Sequence, residues 1–224
     1  MEDGQRLEAL EGHPAFAQAL TIVKKLAHEG FQTVLAGGCV RDALMGIPAK
    51  DLDLATAARP EDIEAAFPKT LAVGKAFGTI VVILDGQSFE VTTFRADGPY
   101  LDGRHPSSVS FTTIQDDALR RDFTVNALFY DPLKHKVIDF VGGKKDLKLG
   151  LLRAVGDPEQ RFREDRLRML RAVRFVGQLG FDLDPGVLTA IRAEYTELEK
   201  VSPERIFNEI RRLLESPYLL KGLQ

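Results

Sequence analysis

The stretch Val34–Thr56, VLAGGCVRDALMGIPAKDLDLAT, constrains the fold more than any other part of the chain. It reads as a strand, a Gly37–Gly38 turn, a short helix over Val40–Met45, a second turn, and a strand over Asp51–Ala55. Side chains along a strand alternate faces, so residues two apart point the same way. Asp51 and Asp53 then lie side by side, while Leu52 and Leu54 face a buried side. Adjacent carboxylates repel each other unless a cation sits between them, and Mg²⁺, an oxygen-seeking ion, meets that need. A Gly-Gly turn that opens a helix presents free backbone N–H groups and the positive end of the helix dipole, which suits a phosphate. Arg41, three residues past Gly38, reaches the same anion. The local reading is a site for a metal and a triphosphate. Taken singly, each feature has a plainer reading: surface charge for the Asp pair, a tight turn for the glycines, an ion pair for Arg41–Asp42. Those readings leave their crowding into one short stretch unexplained.

The 224 residues suffice for one large domain or two small ones. A net charge of −3 excludes a polycation, so any nucleic-acid contact comes from a local basic patch. The single cysteine, Cys39, excludes an intramolecular disulfide and a Cys-based zinc site, and a reducing cytoplasm is the simplest setting. A small residue packed behind the turn is the reading for Cys39, not a nucleophile. The polar N-terminal stretch does not read as a secretory signal, and no apolar run approaches a membrane span.

Residues 1–12 read as a loosely ordered lead. Helical spacing over Pro14–His28, with Gly30 as a stop, predicts the first helix. Gln32–Ala36 is the strand before the Gly-Gly turn, and Arg59-Pro60-Glu61 starts a helix that ends near Phe67. Thr79–Leu84 and Ser88–Phe94 are β-branched runs joined by Asp85-Gly86, a hairpin signal. Residues 97–108, rich in Gly, Pro, Asp and Ser, read as a mobile loop. Lys136–Phe140 and Leu151–Val155 read as strands. After Gly156 the strand signals stop, and Asp157–Arg163, Glu164–Leu179, Pro185–Leu198 and Ser202–Leu214 read as helices. The expected organisation is an α/β (α+β) head over 1–156 and an all-helical segment over 157–224.

Three further constellations carry chemistry. Glu90, on a strand that can run beside the Asp pair, is either a third carboxylate or a solvent-facing edge charge. In LRRDFTVNALFYD, residues 119–131, the charges Arg120, Arg121 and Asp122 precede an apolar segment, and an ion pair at a helix end is the local reading. In RFREDRLRMLRAVRF, residues 161–175, Asp165, Arg168, Arg171 and Arg174 are spaced three apart and form one ridge of a helix. Leu167, Leu170, Val173 and Val176 form a neighbouring apolar ridge. Four arginines with two nearby carboxylates exceed what salt bridging within the helix needs. An Asp-plus-Arg ridge carries the acceptors and donors that read a base edge, with arginines left for phosphates; a solvated basic face is the alternative. The lysines at 134, 136, 144, 145 and 148 either follow an RNA backbone or are ordinary surface. His13, His28, His105 and His135 show no metal-ligand spacing.

Taken together, LAGGCVRDALMGIPAKDLDLAT, FEVTTFR, DGPYLDGRHPSSV, RRDFTVNALFYD and EDRLRMLRAVRF resemble, in order, the class II tRNA nucleotidyltransferase and bacterial poly(A) polymerase family. The resemblance covers about residues 34–182. It implies a nucleotidyltransferase head with a mixed, roughly five-stranded sheet and a helical neck that selects the nucleotide. It assigns two Mg²⁺ to Asp51 and Asp53, the triphosphate to Gly38 and Arg41, a nucleotide contact to Arg121, and base selection to Asp165 and Arg168 with Arg171 and Arg174. The implied activity is template-independent addition of CMP and AMP from CTP and ATP to the 3′ end of tRNA, with pyrophosphate released. The stretch AVGKAFGTIVVI lacks the basic-plus-aromatic segment of bacterial poly(A) polymerases, which favours CCA, CC or A addition over polyadenylation. An intact loop at 97–108 favours the capacity to add the terminal A. A bacterial poly(A) polymerase and a non-catalytic RNA- or nucleotide-binding fragment are the alternatives. Relatives continue into body and tail domains beyond the point where this chain stops, so weak tRNA binding and an exposed surface at Leu213, Leu214, Leu219 and Leu220 are expected.

Overall fold

The computed structural model describes residues 7–8, 10–100 and 107–224. Much of the expected lead at 1–12, and residues 101–106 of the expected loop, lie outside the described residues. In chain order the elements are α1 (Phe16–His28), β1 (Thr33–Ala36), α2 (Gly38–Leu44), β2 (Leu54–Thr56), α3 (Pro60–Ala66), β3 (Thr70–Gly74), β4 (Thr79–Leu84), β5 (Gln87–Thr93), β6 (Arg95–Asp97), β7 (Val109–Phe111), α4 (Ile114–Leu119), β8 (Leu128–Asp131) and β9 (Lys136–Asp139). There follow α5 (Gly143–Leu149), β10 (Leu151–Leu152), α6 (Pro158–Glu164), α7 (Leu167–Leu179), β11 (Asp182–Leu183), α8 (Pro185–Glu194), α9 (Pro203–Leu214) and α10 (Leu219–Leu223). Among the described residues no helix is long and apolar enough to cross a membrane.

The described residues divide into two compact units. The first takes the chain up to Ala96, with Val109–Arg120 and Asn126–Val141. Its centre is a seven-stranded mixed sheet of order β3-β4-β5-β2-β1-β8-β9, in which only the β2–β5 pair is parallel. About five strands were expected. The two further strands are β3, at one edge, and β8, between β1 and β9. β3 gives no sequence signal because Leu71, Ala72 and Val73 are all exposed, so no buried face imposes an alternation.

Local chemistry accounts for the elements that matter to this sheet. In α1 the buried residues Ala19, Ile22, Val23 and Leu26 recur at helical spacing. Asp85 and Gly86 both have positive φ, 50° and 78°, the two-residue turn that matches strand twist and brings Leu84 opposite Gln87. Pro60 opens α3, and Asp62 Oδ2 accepts from the Arg59 N–H at 2.9 Å. Val34, Leu35, Leu54, Ile80 and Val91 are buried in the sheet, and Phe94 meets Phe129 edge-on at 6.4 Å between ring centres.

The second unit takes 97–100, 107–108, Arg121–Val125 and Gly142–Gln224. It is mainly helical, and its β10 and β11 pair in parallel; strand structure therefore recurs after Gly156, contrary to expectation, and Leu151–Val155 forms a strand only at its first two residues. The expected helix over Glu164–Leu179 is broken. Asp165 is extended, at φ −142° and ψ 105°, and its Oδ1 accepts from the Leu167 N–H at 3.1 Å. That side-chain bond offers the backbone an alternative to the helix ladder, so α6 and α7 are separate. Asp165 therefore sits at the joint and not on the helical ridge of Arg168, Arg171 and Arg174. The helix expected over Pro185–Leu198 ends at Glu194 and tightens into a 3-10 turn over Tyr195–Lys200. Of the leucines expected at the surface, Leu214 and Leu220 are exposed, while Leu213 is buried and Leu219 half-buried.

Replacing Leu35 by Ala in the central strand is expected to lower unfolding free energy by roughly 3 kcal/mol, against under about 0.5 kcal/mol for Val73→Ala on the exposed edge. Urea unfolding of the two variants checks this; equal losses would misplace the core.

Candidate active site

In the first unit, β1 and β2 run antiparallel with Leu35 opposite Leu54. The strand proper begins at Leu54, three residues later than the expected Asp51. The Asp53 carbonyl nevertheless accepts from the Ala36 N–H at 3.0 Å, so the alternation continues outward past the strand end. Asp51 and Asp53 are exposed and Leu52 and Leu54 buried, as the spacing implies. On the other side β2 runs parallel to β5 with Leu54 beside Val91. One residue back on each strand, Asp53 is level with Glu90, which is also exposed. Three carboxylates thus fall on two neighbouring stretches of chain, Asp51 and Asp53 just before β2 and Glu90 midway along β5.

The turn between β1 and α2 is built on Gly37, whose φ of 73° and ψ of −125° would strain any side chain. Its N–H donates to the Leu128 carbonyl at 2.9 Å, which ties the turn to β8. Arg41 is buried. Its Nε and Nη2 donate to Asp42 Oδ1 at 2.8 and 2.7 Å, and its Nη1 donates to Asn126 Oδ1 at 2.5 Å. The guanidinium folds back toward the turn: a Cβ on Gly38 would lie 3.7 Å from Arg41 Nη2. Cys39 is buried behind the same turn. Burial, and then the Asp53 charge, pushes its thiol up to about 12, so it stays protonated and does not serve as a nucleophile.

The second unit holds Arg121, Asp165, Arg168, Arg171 and Arg174. Arg121 is half-buried at a bend. Asp122 Oδ2 accepts from Arg171 Nε and Nη2 at 2.9 and 2.6 Å. Arg174, buried on α7, donates from Nε to Glu209 Oε2 at 2.5 Å and lies over the Phe175 ring at 3.8 Å. Burial, and then the nearby Arg171 charge, draws the Arg174 pKa down. Arg168 donates to Glu164 Oε2 at 2.6 Å and to the Arg161 carbonyl at 3.0 Å, and lies 5.8 Å over the Tyr100 ring. Asp165 Oδ2 accepts from Arg205 Nη2 at 2.8 Å. The surplus of arginines counted along the helix is therefore balanced in space, by Asp122 and by Glu209 and Glu164. Asp122 and Glu209 lie far from these arginines in sequence, so helix periodicity gives no sign of them. Asn126, Arg205 and Tyr100 likewise meet Arg41, Asp165 and Arg168 from far along the sequence.

Lys134 and Lys136 belong to the first unit, and Lys144, Lys145 and Lys148 to the second. Lys134 pairs with Asp131 at 3.3 Å, and His135 with Glu11 at 3.1 Å. Among the described residues no group of three or more His, Cys, Asp or Glu forms a metal cage.

Comparison with known proteins adds to this geometry. A family profile described as the poly A polymerase head domain matches residues 33–153, more than half of the chain. The chain belongs to the poly(A) polymerase head-domain family. A second profile, described as the probable RNA and SrmB-binding site of polymerase A, matches residues 180–224. Within this family the chain is 46% identical over 211 residues to the CCA-adding enzyme of Geobacillus stearothermophilus, covering 94% of this chain and 52% of that protein. It is 47% identical over 210 residues to the CCA-adding enzyme of Bacillus licheniformis, covering 93% and 53%. The crystal structure of the Bacillus stearothermophilus CCA-adding enzyme in complex with CTP superposes with a TM-score of 0.86 at 43% identity, over 94% of this chain and 51% of that one. The Thermotoga maritima CCA-adding enzyme complexed with tRNA gives 0.78 at 27% identity, over 99% and 52%. The chain spans about half the length of the relatives it matches.

Truncating Glu209 to Ala leaves Arg174 buried without its carboxylate, and a loss of roughly 3–5 kcal/mol is expected. Glu209→Gln, which keeps an acceptor, is expected to lose less. Denaturant midpoints test the order; an unchanged midpoint in Glu209→Ala would remove the pair from the account of α7–α9 packing.

Proposed function

We propose that this chain carries the catalytic and nucleotide-selecting part of a template-independent tRNA nucleotidyltransferase. It adds CMP and AMP from CTP and ATP to the 3′ end of tRNA, as CCA addition or the CC- or A-adding part of it. The observation that carries the reading is the strand register that sets Asp53 level with Glu90, with Asp51 exposed two residues before Asp53, and the similarity to named CCA-adding enzymes supports it. Residues 1–156 act as the head and 157–224 as the neck. The reaction joins the RNA 3′-oxygen to the α-phosphorus, breaks the α–β anhydride and releases pyrophosphate.

The residues fit Mg²⁺. This ion takes one or two protein carboxylates and completes its shell with phosphate oxygens and water, and Asp51 and Asp53, with Glu90 level, supply such a donor set. Two bound ions would activate the 3′-hydroxyl and neutralise the leaving pyrophosphate. The chain's own residues do the rest. Gly38 allows close approach of the triphosphate, and Arg41 supplies positive charge beside it. Arg121 contacts the nucleotide. Asp165 and Arg168, with Arg171 and Arg174, select the base by hydrogen bonds from fixed positions. That fixity comes from their ion-pair partners, which hold the donors in place before a nucleotide arrives. A cytoplasmic setting suits tRNA as substrate. Bacterial poly(A) polymerase is the second reading, kept because the head-domain profile bears that description.

Asp51→Ala and Asp53→Ala are each expected to lower Mg²⁺-dependent transfer of labelled CMP onto tRNA lacking its 3′ end by at least about a hundredfold, with the melting temperature little changed. Near-native transfer by either variant would refute the assignment of the carboxylates.

A further inference from the structure

We infer that Asn126 is a positioning residue for the triphosphate, holding the Arg41 guanidinium beside the Gly37–Gly38 turn without cancelling its charge. The inference rests on the proposed role of Arg41 as a phosphate contact and extends it to a residue 85 positions away.

Arg41 has two kinds of acceptor among its hydrogen-bond partners. Asp42 Oδ1 takes Nε and Nη2 and carries a negative charge. Asn126 Oδ1 takes Nη1 at 2.5 Å and is neutral. Both Arg41 and Asn126 are buried, with 4% and 7% of their surfaces exposed, so the amide contact is made away from bulk water, where orientation counts most. Asn126 is held in turn by the sheet. It stands two residues before β8, whose Leu128 carbonyl accepts from the Gly37 N–H at 2.9 Å, and β8 pairs with β1 through Leu35–Tyr130 and Ala36–Phe129. The backbone of the turn and the side chain aimed at it are thus fixed by the same stretch of chain.

Charge explains why an amide, not a carboxylate, serves here. One carboxylate, Asp42, already offsets the guanidinium. A second would add negative charge beside a turn that is to receive a polyanion. An amide oxygen supplies the same acceptor geometry at no charge cost. A residue with only a packing role would tolerate an isosteric carboxylate, which strengthens the bond to arginine.

The test compares the full chain with Asn126→Asp and Asn126→Ala by titration calorimetry with Mg·CTP, Mg·ATP and inorganic tripolyphosphate. Asn126→Asp is expected to weaken all three by about tenfold and by the same factor, as the loss of one charge contact to phosphate would. Its Tm is expected to stay within about 2 °C of the parent. In steady-state transfer, KM for both nucleotides rises together and their ratio holds, because the phosphates and not the base are affected. Should the carboxylate unfold the chain, Asn126→Ala, measured below its own melting temperature, carries the test with the same expected loss. Native-strength tripolyphosphate binding by the folded variant, or a loss confined to one base, would overturn the inference while leaving the nucleotide reading intact. A parent chain that binds neither nucleotide nor tripolyphosphate would overturn that reading and this inference with it.

Discussion

The pairing of β1 with β2 is the interaction on which the candidate chemistry depends. Leu35 opposite Leu54 fixes which side chains face the core, and a slip of one residue would send Leu52 and Leu54 to solvent and the two aspartates inward. The register is well determined because β1 is buried along its whole length and β2 likewise. From that alignment follow the outward direction of Asp51 and Asp53 and the start of the Gly37 turn at the end of β1, while the parallel β2–β5 pairing sets the level of Glu90. The carboxylates can be costly to assemble because the hydrophobic face of the same strands binds them to their positions.

A second constraint shapes the helical unit. Arg168 and Arg174 are buried on α7, and a buried guanidinium is tolerated only with a carboxylate close by. Glu164 and Glu209 meet that demand, Asp122 pairs with the half-buried Arg171, and Arg205 in turn holds Asp165. Through Arg205 and Glu209, four residues apart on α9, one helix face anchors both the joint before α7 and the arginine row on it. These pairs contribute more to geometry than to stability, since desolvation offsets much of their attraction. A base-selecting surface needs that kind of fixity: donors that do not rearrange discriminate better than donors that do.

Much of this was legible in the sequence wherever the signal is local. The period-two alternation of Asp51-Leu52-Asp53-Leu54, the Asp85-Gly86 turn, Pro60 at a helix start and Asp157 at another all act over a few residues, and all appear in the structure. The exposed edge strand Thr70–Gly74 was not legible, because no face of it is buried to impose a pattern. The break at Asp165 was not, because an Asp side chain that bonds Leu167 competes with a helix whose periodicity continues on both sides. The partners Asn126, Asp122 and Glu209 were beyond reach for a different reason. Sequence spacing shows what a helix or strand does to its own residues and says nothing of which distant residue arrives opposite.

In the proposed function side chains choose the nucleotide without a template. Product length tests it most directly: the chain is incubated with CTP alone, ATP alone or both, on tRNA ending before the terminal triplet, on tRNA ending in CC, and on an unrelated RNA. The expected products are additions of C only with CTP and a single A on the CC end with ATP, with little extension of the unrelated RNA. A long A tract on any RNA, or no extension of any acceptor in the presence of Mg²⁺, would contradict the proposed function.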